Sequence, residues 1–350
     1  MAKQRRKGDR KKSAHDKHVD KEVVRAQAKA KAAKASKVKA GQATAPALGR
    51  PAHAAPRVVL TPVEVEVARE LQPEHPIGEL LQVKEGFDLS TIDPRATPGF
   101  DGDKLTGAKA VSTYAPEIGE WQERLYAESK GGGSRSLLLV IQGMDTSGKG
   151  GIMRHVVSVV DPGGIRATAF KAPTAKERQH DFLWRIRRAL PVPGQIGVFD
   201  RSHYEDVLIV KVNALVSAEE LDARYDQINA FESELVASGT PIVKVMLHIS
   251  NGEQKARLMD RLDRPDKRYK YNPGDVDERM KWDAYQAAYQ IALTRCSTAD
   301  APWHVVPADR KWYARYAVQQ LLLEKLREMD PQWPVMDFDV EAEKARLAAS

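Results

Sequence analysis

One cysteine, Cys296, stands in 350 residues. That excludes an intrachain disulfide and a cysteine metal cluster, and within a helical pattern Cys296 reads as a small packed apolar residue. Long apolar runs are missing too. No stretch approaches the roughly 18 residues needed to span a bilayer. The charged N-terminus has no apolar core of the kind a signal peptide carries. Together these absences predict a cytoplasmic protein. Residues 1–57 contain no Phe, Tyr or Trp and are rich in Lys, Ala, Arg and Gln. Such a segment cannot bury enough surface to fold alone and reads as a disordered basic tail. Only 26–40, AQAKAKAAKASKVKA, is composed for transient helix.

The net charge of +7 is unevenly spread. The first 57 residues carry 17 Lys and Arg against 4 Asp and Glu, and the rest carry 38 against 44. The basic excess belongs to the tail, which suits an electrostatic arm for a polyanion such as nucleic acid or polyphosphate. Any basic site on the remainder must be a local cluster. With 42% apolar residues, that remainder can build a large α/β core.

The rest of the chain is organised around 137–153, LLLVIQGMDTSGKGGIM. The apolar run 137–141 reads as a buried parallel strand. Gly143 to Lys149 has the spacing G-x-x-x-x-G-K of a phosphate-binding loop, and a helix pattern follows through Val159. Backbone N–H groups of such a loop face a bound anion, and the helix after it adds positive potential. Gly143, Ser147, Gly148, Lys149 and Gly150 are the candidate phosphate-binding residues, with Lys149 as the point charge. Gly150 stands where Ser or Thr would offer a hydroxyl to Mg²⁺. Asp145, inside the loop, is then the candidate metal ligand, because a carboxylate beside bound phosphate needs a cation between them.

The residues before the loop divide into a proline-rich arm over 58–105 and a helix over 106–130, which Gly131 to Gly133 end. After the loop, strands and helices alternate. Strands are expected at 166–171, 195–200, 241–249 and 304–307. Helices are expected at 175–189 with Thr174 as cap, 218–236, 252–262 with Asn251 as cap, a stretch from Asp275, and 312–329. This pattern predicts a parallel sheet flanked by helices, with ligands beyond the C-terminal strand ends. We therefore expect a basic tail at 1–57 and an arm and helix at 58–130. A phosphotransferase domain follows at 131–335, with a lid over about 252–295, and then a C-terminal tail at 336–350.

A second motif, FDRSHYEDV, begins at Phe199. Asp200 stands where a P-loop enzyme places its second metal-binding acid, and Arg201 is placed to neutralise a transferring phosphoryl group. Tyr204, Glu205 and Asp206 are candidates for the nucleotide site or the metal shell. A third motif, RLMDRLDRPDKRYKY from Arg257, interleaves Arg257, Arg261, Arg264, Lys267, Arg268 and Lys270 with Tyr269 and Tyr271, and Arg261, Arg264, Lys267 and Lys270 are its candidate phosphate-binding residues. Pro265 breaks the helix, so the basic residues continue into a loop, as a mobile lid over a phosphate site requires. The histidines show no metal-ligand spacing.

These motifs, with TPGFDGDK at 97–104, FKAPTAKE at 170–177 and WDAYQAAY at 282–289, resemble the polyphosphate kinase 2 family. The resemblance covers about 80–330. It implies a P-loop kinase-like fold with a helical lid. It also implies Mg²⁺-dependent (or Mn²⁺-dependent) phosphoryl transfer between inorganic polyphosphate and AMP, ADP or GDP, in a homo-oligomer. Asp145 and Asp200 then match the metal-binding acids, Lys149 the loop lysine and Arg201 the neighbouring arginine. Arg261, Arg264, Lys267 and Lys270 match the basic lid. SHYEDV is similar to the class III subgroup, which takes both AMP and ADP. Lys149-Gly150-Gly151 is similar to the subgroup that takes ADP, Asp200 stands where class III often has Asn, and Tyr269 stands where Trp is usual. An ATP-dependent nucleotide kinase of the same fold is the enzymatic alternative. A polyanion-binding protein with a degenerate core is the non-catalytic one.

Overall fold

Four runs of mostly apolar residues make up the body of one sheet because they lack the polar alternation of a one-sided strand, while the edge strand at 165–169 (IRATA) alternates and buries no position. In the computed structural model, which describes residue 73 and residues 75–350, β1 (Leu137–Gln142) and β4 (Ile242–His248) are buried at every position. The remaining strands are β2 (Ile165–Ala169), β3 (Ile196–Asp200) and β5 (Trp303–Pro307). All pairs are parallel, in the order β2-β3-β1-β4-β5. Ile141 of β1 stands opposite Asp200 of β3, which brings the first two motifs to the same end of neighbouring strands. The chain leaves β1 toward β2 on one side and leaves β3 toward β4 on the other, so the crevice beyond β1 and β3 is a switch point of the topology.

The tail expected over 1–57 lies outside the described residues, as does the start of the arm. From residue 75 onward the arm packs against the sheet edge and the last long helix. It forms α1 (Ile77–Leu81), which Glu324 caps through the N–H groups of Ile77 and Gly78. It then runs along the β5 edge, where the N–H of Val83 donates to the carbonyl of Trp303. Asp103 caps α2 (Lys104–Lys130) by accepting from the N–H of Thr106. Gly107 lets α2 approach Trp312 closely, since a Cβ there would stand 2.3 Å from the indole.

The loop helix, α3 (Lys149–His155), is shorter than the expected run to Val159, which ends as a separate 3-10 turn. The helix expected at 175–189 does not form. Thr174 accepts from the N–H of Glu177 as a cap, and Glu177 accepts from the N–H of Thr174 in return, but the pair leads only into a 3-10 turn at Glu177–Gln179. His180 then turns extended, Asp181 accepts from the N–H of Leu183, and only the short α4 (Trp184–Arg187) follows. Here side-chain caps compete with the helix ladder and win.

Next come α5 (Ile209–Val212) and α6 (Ala218–Ala237), the latter capped by Ser217, which accepts from the N–H of Glu220. α7 (Asn251–Asp263) is capped one residue earlier than expected, by Ser250, which accepts from the N–H of Glu253. Pro265 follows its end. The helical stretch expected from Asp275 is divided into α8 (Gly274–Arg279) and α9 (Trp282–Arg295). α10 (Lys311–Met329) packs along α2, and α11 (Val340–Ala348) buries no residue. Among the described residues, no helix is long and apolar enough to cross a membrane.

Candidate active site

The loop after β1 bends as its glycines require. Gly143 has φ of +148°, and a Cβ there would stand 2.7 Å from the carbonyl oxygen of Leu247. Gly148 has φ of +117°. Two residues with side chains also take left-handed backbone within the two motifs, Thr146 (φ 65°) and Arg201 (φ 62°). That conformation is disfavoured for both and is typical of sites whose surroundings over-determine the backbone. The hydroxyls of Thr146 and Ser147 are buried without a hydrogen-bond partner. Orphaned polar atoms inside a Gly-rich loop fit a site that a ligand completes.

Lys149 folds back over the loop, donating to the carbonyls of Gly143 (2.7 Å) and Met144 (3.3 Å). Burial holds its pKa below the ordinary lysine value, against the pull of Asp145. Arg201 reaches across from the end of β3 and pairs with Asp145 at 3.0 Å. Burial works against its charge, but Glu205 and Asp145 outweigh it and keep its pKa above the ordinary value. Glu205 faces the same group, and burial raises its pKa despite Arg201 and Lys149. The structure thus brings Asp145, Lys149, Asp200, Arg201 and Glu205 together around one loop.

Tyr204 and Asp206 fall elsewhere, which corrects the expectation that they face the nucleotide or metal. Tyr204 is buried in the core, and its hydroxyl donates to Glu232 (2.9 Å) and accepts from Lys244 (2.9 Å). Asp206 is held between Arg185 and Arg224, each at 3.4 Å. The reason is the 3-10 turn His203–Asp206, in which consecutive side chains point in different directions.

The segment between β4 and β5 comprises α7, a basic loop, α8 and α9. The cations of its basic run are engaged internally. Arg261 donates to the carbonyl of Lys270 and to Asp275, Arg264 pairs with Asp266, Lys267 pairs with Asp266, and Lys270 lies over the ring of Tyr269.

Asp145 and Asp200 supply hard oxygen donors at the loop, the chemistry a divalent cation takes. Among the described residues, no group of three or more His, Cys, Asp or Glu could hold an ion alone. A cation here must draw its remaining ligands from phosphate oxygens and water, as Mg²⁺ in phosphoryl-transfer sites does.

The sequence model of polyphosphate kinase 2 matches residues 102–334. That span holds the loop, the Asp200 motif and the β4–β5 insertion. The chain belongs to the polyphosphate kinase 2 family. It is 42% identical over 248 residues to the AMP/ADP-polyphosphate phosphotransferase of Meiothermus ruber, covering 71% of this chain and 91% of the relative. It is 41% identical over 270 residues to the ADP-polyphosphate phosphotransferase of Rhodopseudomonas palustris, covering 74% and 90%. The crystal structure of Polyphosphate Kinase 2 from Arthrobacter aurescens TC1 superposes with a TM-score of 0.79 at 52% identity, covering 80% of this chain and 99% of that one.

Within this polyphosphate kinase 2 chain the structure also brings to the site Arg257, which the sequence reading placed only in the basic run, and residues that it did not single out. Arg257, buried on α7, donates to the loop carbonyls of Thr146 (2.8 Å) and Ser147 (3.1 Å) and to those of Ala308 (2.7 Å) and Asp309 (3.0 Å). It ties the insertion and the β5 end to the phosphate-binding loop. Asp275 also feels Asp145, and burial followed by that neighbour raises its pKa. Tyr285 and Tyr289 lie one turn apart on α9, both within the field of Asp145 and Glu205. Their spacing of four was the available signal, but it is equally the spacing of core residues.

Proposed function

We propose that this chain transfers phosphoryl groups between inorganic polyphosphate and nucleotides, making ATP from ADP and ADP from AMP with Mg²⁺. The observation that carries this reading is the convergence of Lys149, Asp145, Arg201 and Glu205 on a loop with orphaned hydroxyls. The names of its relatives supply the polyphosphate donor.

In the forward step an oxygen of the nucleotide's terminal phosphate attacks the terminal phosphorus of polyphosphate. The new P–O bond forms as the anhydride P–O bond breaks, and the electron pair stays on the shortened chain. The attacking oxygen is already ionised near pH 7, so no strong base is needed. Positioning and charge neutralisation carry the rate. Lys149 and Arg201 meet the charge on the transferring group, and Arg201 exchanges its partner Asp145 for phosphate. Asp145 and Asp200 would hold Mg²⁺, which when bound would neutralise phosphate oxygens. Glu205 holds Arg201 and Lys149 in place. The same reading takes the chain as a cytoplasmic homo-oligomer whose tail at 1–57 is a polyanion-binding arm.

Purified protein with Mg²⁺ and long-chain polyphosphate is incubated with AMP, ADP or GDP, and the nucleotides are separated by chromatography. ATP from both AMP and ADP is expected. ATP from ADP alone would keep the family and shift the subgroup. Transfer only with ATP as donor would overturn the polyphosphate reading.

A further inference from the structure

Thr146 holds a left-handed backbone, at φ 65°, inside the phosphate-binding loop. A β-branched residue resists that conformation, so other parts of the fold must hold it there. The peptides on either side of Thr146 show which parts do. The carbonyl of Asp145 accepts from Nε2 of Gln254 (3.3 Å), and the carbonyl of Thr146 accepts from Arg257 (2.8 Å). Arg257 also takes the carbonyl of Ser147 (3.1 Å). Three successive loop carbonyls are thus turned to α7, and the two side chains that take them share one face of that helix. The helix is itself pinned at its start, where Asp309 accepts from both the N–H and the hydroxyl of Ser250, each at 2.8 Å.

Gln254 is buried, and its amide can stand only one way. Its Oε1 accepts from Arg279, the last residue of α8, at 2.9 Å. A guanidinium only donates and a carbonyl only accepts, so Oε1 must face Arg279 and Nε2 must face Asp145. Arg279 is held in turn by the main-chain carbonyl of Asn251 (2.7 Å) and by its side chain. A chain of contacts therefore runs from α8 through Arg279 and Gln254 to the peptide between Asp145 and Thr146.

The N–H and C=O of one peptide point in opposite directions. Holding the carbonyls of Asp145 and Ser147 toward α7 turns the N–H groups of Thr146 and Gly148 away from it. We propose that Gln254 and Arg279 are positioning residues for phosphoryl transfer. Arg279 fixes the amide of Gln254. Gln254 and Arg257 then hold Thr146 left-handed, so that the N–H groups of Thr146 and Gly148 are presented to phosphate. This rests on the proposed function. It gives the insertion between β4 and β5 a task besides carrying cations, since α8 sets the shape of the loop.

The test uses the full-length protein with ADP, polyphosphate and Mg²⁺. Gln254→Met keeps an unbranched side chain of similar volume and removes both contacts. Arg279→Met removes the donor to Gln254, and Arg279→Lys keeps one. Thr146→Gly lets the loop take a positive φ without a holder. We expect kcat to fall about tenfold in Gln254→Met while KM for ADP and for polyphosphate stay within about threefold, because the direction of the loop donors changes and the charge of the site does not. Arg279→Met loses less, and Arg279→Lys recovers most of that loss. On top of Gln254→Met, Arg279→Met adds less than about twofold, and in the Thr146→Gly background Gln254→Met costs less than about threefold.

Wild-type kcat in Gln254→Met would overturn the proposal. So would full additivity in either pair, the result of a role confined to packing α7. Arg279 is only partly buried, so its variants stay readable if Gln254→Met does not fold. An Arg279→Met protein with wild-type kcat and wild-type loop exchange would overturn the proposal by itself. Amide hydrogen exchange over 143–150 needs no turnover, and faster exchange there in Gln254→Met and Arg279→Met is expected. That result with no ATP formed by wild type overturns the function and keeps the clamp on the loop. ATP formation by wild type with exchange and kcat unaltered in both variants does the reverse.

Discussion

Two clusters of charge grow from the same short motif and are built in opposite ways. His203 and Tyr204 turn inward, where His203, Tyr204 and Lys244 converge on Glu232. All four are buried, and Nζ of Lys244 has Glu232, Tyr204 and the carbonyl of Cys296 as partners. Arg201 and Glu205 turn outward to Lys149 and Asp145, half-buried beside orphaned hydroxyls and strained backbone. The inner cluster is sealed from solvent and each of its charges is met by protein, with Nδ1 of His203 left as its orphaned atom. The outer one is left open to a ligand. A closed network fixes the turn that carries Arg201 and Glu205, and the open one can then exchange a protein partner for phosphate.

The largest expected effect tests the inner cluster. Lys244→Met leaves Glu232 buried without its counter-charge and should destabilise the fold by about 3–5 kcal/mol in denaturant titration. Adding Glu232→Leu should restore much of that loss. If Lys244→Met cost no stability, the closed reading would fail.

The outer cluster should behave the other way. Lys149→Ala and Asp145→Asn should each lower kcat at least about 10²-fold while the melting temperature holds. Wild-type-like turnover in either would remove it from the site. Arg257→Ala lies between the two types. It should lower both stability, by about 1–3 kcal/mol through the carbonyls it leaves unmet, and turnover.

The smallest effect concerns pH and has opposite signs in the two clusters. Burial works against the charge on Glu232, but Lys244 and His203 outweigh it and hold its pKa below the ordinary value. Its contribution is present above the unfolded-state pKa and is lost as pH falls through the folded one. Glu205 has a raised pKa, so in the free protein its ionisation opposes folding from the unfolded-state pKa upward through the folded one. Glu232→Gln should therefore lower the melting temperature most at neutral pH and least in acid. Glu205→Gln should raise it slightly at neutral pH and leave it unchanged in acid. Parallel profiles would erase the distinction.

Much of the site was legible because its signals are local. The spacing of Gly143, Gly148 and Lys149, an apolar strand before them and an acid at the end of another strand need only neighbours in the chain. The β1–β3 register then sets the loop and Asp200 side by side. Tyr204 and Asp206 could not be told from Glu205, since consecutive residues in one turn share every local signal. The helix expected at 175–189 failed for a related reason. Its propensity was sound, but Asp181 formed a competing cap.

By itself the sequence determined the loop, the strands that flank it, the placing of Asp145, Lys149, Asp200 and Arg201, and the family. Each depends on backbone geometry over a few residues. Only the tertiary structure decided which charges are spent on one another. Lys244 finds Glu232 on α6, Arg257 finds the loop 110 residues away, and the basic loop after α7 satisfies its own cations while Lys311 and Arg315 stay unpaired. Pairing is a property of positions in space, and an unpaired cation in the sequence looks the same as a paired one.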